Sequence, residues 1–373
     1  MTEDKSSRYH RLKRRAELAD LFWSAALLLT LIASGGAALL RDLAYALTGG
    51  RYFLTVLLVA IALGLFHAIV SFPLAIYSSF VLERRYELSR QTFQAWLTDY
   101  VKGLTVGAVL GLPALLLVYY TMTNAPDWWW AISGAIFAVL IVGLANLAPV
   151  LLLPLFFTFT PLRREELRTR LEALAARAGT RIVGVYEWAL GAKTRKANAA
   201  LTGLGVTRRI LVSDTMLDQY SDDEIEVVLA HELGHHVHHD IWRALALETV
   251  LILLGFFVAD LTLRTAGRQL GVNALNDPAG LPLLLAAAGA VSLILMPLGL
   301  ALSRRHERRA DRFALDLTSN PSAFVTAMRR LGAQNLAEAR PSRLVEWLFY
   351  SHPPLEERLA AARAWTPQGV RRT

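Results

Sequence analysis

The residues best equipped for chemistry are His231-Glu232-Leu233-Gly234-His235. Histidines four apart on a helix lie one turn apart on one face, so both imidazoles can reach a single metal ion. Glu232 is offset by one residue; it cannot ligate beside them, but it can reach a water on the metal. A zinc peptidase needs this arrangement: the ion lowers the pKa of water and the carboxylate takes the proton. Catalytic zinc takes three protein ligands and keeps one position open. A third histidine at fixed spacing is ruled out, because position 241 is Ile. The remaining source is a distant carboxylate. Glu307 is the best candidate, within Ser303-Arg304-Arg305-His306-Glu307-Arg308-Arg309-Ala310-Asp311. Asp311 follows one turn later on the same face and could accept the free N–H of a ligand imidazole, fixing its tautomer. On the residues alone a plainer reading stays open, in which Glu307 and Asp311 neutralise the arginines beside them.

These side chains need elements to position them. Ser221-Asp222-Asp223-Glu224 reads as a capping box that starts a helix running through at least His239. His236, His238 and His239 fall on other faces of that helix and are read as solvated or interfacial. Upstream, residues 163–178 read as an amphipathic helix, and residues 181–188 and 208–212 as short strands.

The solvent is partly lipid. Hydrophobic residues make up 54% of the 373, and charged residues only 19%, against about 25% in ordinary soluble domains. A hydrocarbon core takes about 20 apolar residues as a helix. Six stretches qualify: 21–40, 52–82 with Pro73 as a kink, 104–122, 128–157 with Pro149 and Pro154, 244–263 and 281–302. Lys5, Arg8, Arg11, Lys13, Arg14 and Arg15 before the first span, and the arginines after the sixth, place both termini on the cytoplasmic side. The chain then divides into a basic segment (1–20), spans one to four (21–157), a first polar block (158–243), spans five and six (244–302) and a second polar block (303–373). The two polar blocks share the cytoplasmic side and can join into one domain.

His67, Asn146, Glu248 and Asp260 are polar residues within the spans and are expected to face an interior or an interface. Trp128, Trp129 and Trp130 read as an interfacial belt. The net charge of +8 is read as membrane topology and contact with anionic lipid, not as a nucleic-acid surface. With no cysteine in the chain, a Cys-ligated zinc and a thiolate nucleophile are excluded.

Further motifs accompany the metal residues: Phe80-Val81-Leu82-Glu83-Arg84-Arg85-Tyr86, Ala148-Pro149, Phe159-Thr160-Pro161-Leu162, Lys196-Ala197-Asn198-Ala199, Gly203, Arg209-Ile210-Leu211-Val212-Ser213-Asp214-Thr215, and His352-Pro353-Pro354 with Arg358 after it. From about the second span onward the chain resembles the type I CAAX prenyl endopeptidases, multi-span membrane zinc metallopeptidases. The resemblance implies zinc, one per chain, on His231, His235 and Glu307, with Glu232 as base. It implies that Asn198 and Ala199 bind substrate backbone as an edge strand, that His352 and Asn198 help hold the scissile carbonyl, and that Arg358 meets the substrate. There are two departures. Six spans are counted where the family typically has seven, and Asp240 stands where the prenyl type usually has His, as in the related heat-shock membrane proteases.

The expected architecture is mainly α: a polytopic helical membrane protein with a cytoplasmic-side, gluzincin-like α+β zinc peptidase domain split across the sequence. The expected activity is zinc metalloendopeptidase cleavage of a peptide or protein substrate, prenylated or membrane-embedded. The competing readings are a membrane quality-control metalloprotease with no prenylated substrate, a non-enzymatic zinc-binding membrane scaffold, and a transporter.

Overall fold

A computed structural model describes residues 4–203 and 205–367. Among the described residues six helices are long and apolar enough to cross a membrane: Lys5–Ala33, Tyr52–Arg85, Phe93–Asn124, Trp129–Phe156, Asp240–Ala266 and Pro278–Thr318. The first is α1 (Lys5–Ala33), and a short α2 (Gly36–Leu47) follows it. The apolar run 21–40 is therefore not one span. It breaks at Gly35, whose φ of +72° is a left-handed turn that hydropathy does not register. α1 itself reaches back to Lys5, and its charged first turns pair with Glu83 and Glu338 instead of continuing the apolar run.

The second span is α3 (Tyr52–Ala75), a π-helical stretch at Ile76–Val81 and α4 (Leu82–Arg85). Pro73 thus leads into a π segment within a continuous helix. α5 (Phe93–Asn124), α6 (Trp129–Leu147) and α7 (Leu153–Phe156) complete the first four crossings. A second π turn, Ala148–Leu152, holds Pro149 and joins α6 to α7.

The polar block opens on β1 (Phe159–Pro161) and α8 (Glu165–Arg177), then β2 (Val185–Trp188), β3 (Ala199–Thr202) and β4 (Arg209–Ser213). The sheet order is β1-β2-β4-β3. β1 and β3 each run antiparallel to their neighbour, and β2 and β4 are parallel. The strand expected from residue 181 starts only at Val185. β3 forms one edge. α9 (Asp214–Gln219) and α10 (Asp222–Val237) follow.

The chain then re-enters the apolar layer as α11 (Asp240–Ala266) and returns as α12 (Leu281–Thr318), an unbroken 38-residue helix that carries span six directly into the second polar block. α13 (Pro321–Gln334), α14 (Arg343–Phe349) and α15 (Leu355–Ala364) close the domain.

A small core cluster gathers Tyr9, Leu82, Tyr86 and Leu88, and the two larger cores lie at opposite ends. One packs α8, the sheet, α10, α13 and α15 around Leu167, Ile210, Ile225, Leu229 and Phe324. The other gathers Leu27, Ala44, Val59, Tyr119, Trp129, Ala259 and Leu284, at the ends of the spans farthest from the first. Trp129 belongs to this core and is 0% exposed, donating to Asp260 at 2.5 Å; it is not a belt residue. Trp128 beside it is exposed. Of the other polar span residues, His67 meets Ser24 at 2.8 Å, Asn146 meets Thr207 at 3.4 Å, and Glu248 is exposed.

Candidate active site

The capping box forms in full. Ser221 accepts from the Glu224 N–H at 3.3 Å, and Glu224 accepts from the Ser221 N–H at 2.9 Å. This pins the start of α10, whose Ile225, Val227, Val228, Leu229, Ala230 and Leu233 are all buried. These residues bury the middle of α10 on most of its sides, so the histidines ride on a helix largely enclosed by protein.

α10 ends at Val237, earlier than the expected His239. His238 caps it and His239 adopts φ +57° before α11 begins at Asp240. That reversal matters to the site, because it swings Asp240 back beneath His235.

α12 lies against α10 where Gly234 faces it; a Cβ on Gly234 would sit 3.0 Å from Ala310 Cα. A side chain at this position would be tighter than ordinary van der Waals contact, so the absence of one favours that approach. One turn before Ala310 on α12 lies Glu307, which the close crossing brings to the histidines. His231 Nε2 and His235 Nε2 are 3.2 Å apart. Glu307 Oε2 is 3.4 Å from the first and Oε1 is 3.3 Å from the second. One ligand atom from each of the three residues falls within 4.8 Å of the others.

Behind each imidazole stands a carboxylate. His231 Nδ1 is 2.8 Å from Asp311 Oδ1, and His235 Nδ1 is 3.0 Å from Asp240 Oδ2. Each carboxylate is backed by an arginine. Arg358 donates twice to Asp311, at 2.8 and 2.6 Å, and Arg309 donates to Asp240. Arg358 is therefore turned to the back of His231, with only 14% of its side chain exposed.

Asp240 and Arg309 were not among the residues singled out for the site. A short helix-breaking interval after His235 could have flagged Asp240, but spacing carries no signal for a turn of that shape.

The donor set fits a divalent cation. With His235 Nδ1 bonded to Asp240 and His231 Nδ1 2.8 Å from Asp311, the two Nε2 atoms face each other and an anionic oxygen. Such a cluster repels itself unless a cation sits within it. Two nitrogens and one oxygen suit zinc-type coordination with a further position open.

Glu232 makes no side-chain hydrogen bond among the described residues. Burial pushes its carboxyl above the usual carboxylate range, while His231 and His235 pull the other way. His352 lies on the loop between α14 and α15, 60% exposed, with Nδ1 2.8 Å from Glu307 Oε2. Asn198 immediately precedes β3 and is exposed; its backbone N–H donates to Ser213 Oγ at 3.0 Å. Ala199 pairs with Val212 and its side chain is buried in the domain core. Among the described residues no contact joins the Asn198 side chain to the His–Glu cluster.

Membrane-crossing helices carrying a buried His-Glu-x-x-His helix and a distant glutamate define an integral membrane metalloendopeptidase. Comparison with known proteins agrees. The family described as "Peptidase family M48" matches residues 161–366, and "CAAX prenyl protease N-terminal, five membrane helices" matches residues 2–158. The chain belongs to peptidase family M48.

An uncharacterized metalloprotease, YhfN, of Bacillus subtilis (strain 168) is 30% identical over 340 residues, which is 90% of this chain and 79% of that protein. CAAX prenyl protease 1 of Saccharomyces cerevisiae is 32% identical over 321 residues, covering 79% of this chain and 68% of that protein. The crystal structure of S. mikatae Ste24p is similar with a TM-score of 0.85 at 26% identity, covering 96% of this chain and 88% of that one.

Proposed function

We propose that this metalloendopeptidase is a zinc enzyme working at the cytoplasmic face of the membrane, with His231, His235 and Glu307 as ligands. The supporting observation is the convergence of two imidazole Nε2 atoms and one carboxylate, with Asp311 and Asp240 standing 2.8 and 3.0 Å from the imidazole Nδ1 atoms. Bound there, zinc supplies Lewis acidity, which lowers the pKa of water and polarises a carbonyl.

The chain's own residues do the rest. Glu232, poised by burial to hold a proton, accepts one from the attacking water and returns it to the leaving amine. Asp311 and Asp240 hold the imidazoles in the tautomer that points Nε2 inward. An extended peptide adds to the free edge of β3, bonding through its backbone with little demand on sequence. Asn198 and His352 donate to the oxygen on which negative charge develops. Arg358 acts through Asp311 and not on the peptide, as its burial and bidentate pairing favour.

The cytoplasmic assignment rests on the lysines and arginines at the N-terminus and after span six. The substrate class is a peptide tethered to or embedded in the membrane, and the names of the relatives point to a prenyl chain as the tether.

The test is cleavage by detergent-purified wild type and Glu232→Gln, side by side, on a pool of farnesylated and unmodified peptides. Cleavage by the wild type alone, with farnesylated peptides preferred, is the expected result. Equal use of both kinds overturns the prenyl assignment. Turnover retained in Glu232→Gln overturns the mechanism.

A further inference from the structure

The first turns of α1 carry no residue used by the chemistry, yet they bond to Glu83 on one side and to Glu338 and Tyr350 on the other. Tyr9 is 2% exposed, and its hydroxyl donates to Glu83 Oε1 at 2.5 Å. Lys13, one turn on, donates to the same oxygen at 2.9 Å. Glu83 Oε2 accepts from Lys196 at 2.9 Å, two residues before Asn198. The turn after α4 reinforces this link through an antiparallel bridge between Ser89 and Thr194, with Arg195 N–H donating to the Leu88 carbonyl at 2.9 Å.

On the next face of α1, Arg14 donates to Glu338 at 2.8 Å and to Tyr350 Oη at 3.0 Å. Tyr350 in turn donates to Glu338 at 2.5 Å and stands two residues before His352. Its carbonyl accepts from Arg304 at 2.6 Å.

The approach to β3 is held on its other side as well. Ala197 exchanges bonds with the Asn335 amide at 3.2 and 3.3 Å, and the Lys196 carbonyl accepts from Thr215 at 2.8 Å. No backbone polar group from Arg195 to Asn198 is left to slip the register.

We propose that the polar N-terminal arm of α1 is a positioning clamp for the peptide cleft: Tyr9 and Lys13 set the β3 edge through Glu83 and Lys196, and Arg14 sets His352 through Glu338 and Tyr350. The two walls come from distant parts of the sequence, and this one helix fixes the gap between them. The proposal rests on the reading that peptide pairs with β3 and that His352 faces the scissile bond.

The full chain is assayed as wild type, Glu83→Gln, Arg14→Ala, Arg14→Lys and Tyr350→Phe, on a short and a long peptide sharing one scissile bond. Metal content and the thermal transition in detergent are recorded for each. Glu83→Gln raises KM for the long peptide about tenfold, keeps kcat and spares the short one. Arg14→Ala and Tyr350→Phe lower kcat on both peptides at unchanged KM and metal content, and Arg14→Lys recovers part of the loss. Unchanged kinetics, or kcat, KM and metal content falling together in every variant, overturns the clamp. Asn198→Ala and His352→Ala run alongside. If both retain wild-type turnover, the cleft reading fails and takes the clamp with it. If they lose turnover while the α1 and Glu83 variants do not, only the clamp falls.

Discussion

Asp240 and Asp311 occupy equivalent places on opposite sides of the ligand cluster, each between an imidazole Nδ1 and an arginine. An imidazole whose outer nitrogen is fixed in this way is a stronger and better aimed ligand. Asp240→Asn therefore weakens metal affinity by about 10–100-fold, measured by competition against a chromophoric chelator, with the thermal transition little changed. Glu232 differs in kind. Among the described residues it has no hydrogen-bond partner to lose, so Glu232→Gln retains the metal while kcat drops at least about a hundredfold. Metal analysis and turnover on the same preparation check both halves. Loss of metal in Glu232→Gln would move that residue from proton transfer to ligand support.

At the scale of elements, the site depends on how closely α10 and α12 cross. Gly234 is the contact point, with Ala310 Cα and Phe313 Cβ at 3.0 and 3.2 Å from where a Cβ would stand. Gly234→Ala forces the helices apart at a cost of about 1–3 kcal/mol. Because Glu307 reaches the histidines only through that approach, metal affinity falls as well. Thermal denaturation and metal titration of the variant read the two effects separately. The N-terminal cap of α10 is a weaker dependence. Ser221→Ala removes one acceptor from the box and costs about 1 kcal/mol, with the metal site left in place, since the helix is held along its length by buried apolar contacts.

For the whole molecule, the two larger apolar cores are built from side chains other than the metal-site residues. One lies in the polar domain and the other at the far ends of the spans. Stripping the ion with a chelator abolishes hydrolysis, while far-UV circular dichroism stays unchanged; added zinc restores activity. An apo protein that loses helicity would make the metal a folding element. The unbroken α12 ties the two ends together, since it starts in the far core with Leu281, Leu283 and Leu284, carries Glu307 and Asp311, and enters the near core with Ala314 and Leu315. The basic N-terminus is part of the same assembly. Lys13 and Arg14, read from sequence as topology signals, are paired with Glu83 and Glu338.

Local order was written plainly in the chain. A four-residue interval sets two histidines on one helical face, a Ser-x-x-Glu box starts that helix, and runs of about 20 apolar residues set the spans. Each depends on neighbours within a turn or two, so periodicity and hydropathy read its presence, although not where the first span and α10 end. Glu307 was already the best candidate on the residues themselves, and the family resemblance supplied Asn198 and His352 as expectations. What spacing could not express was decided by tertiary contact: the left-handed turns at Gly35 and His239, Trp129 drawn into a core by Asp260, and Asp240 returned beneath His235. Arg358 was turned from the cleft to Asp311 in the same way. Such pairings join residues far apart in sequence or across a reversal of the chain, and their energy exists only once close packing has excluded water and brought opposite charges within hydrogen-bonding distance.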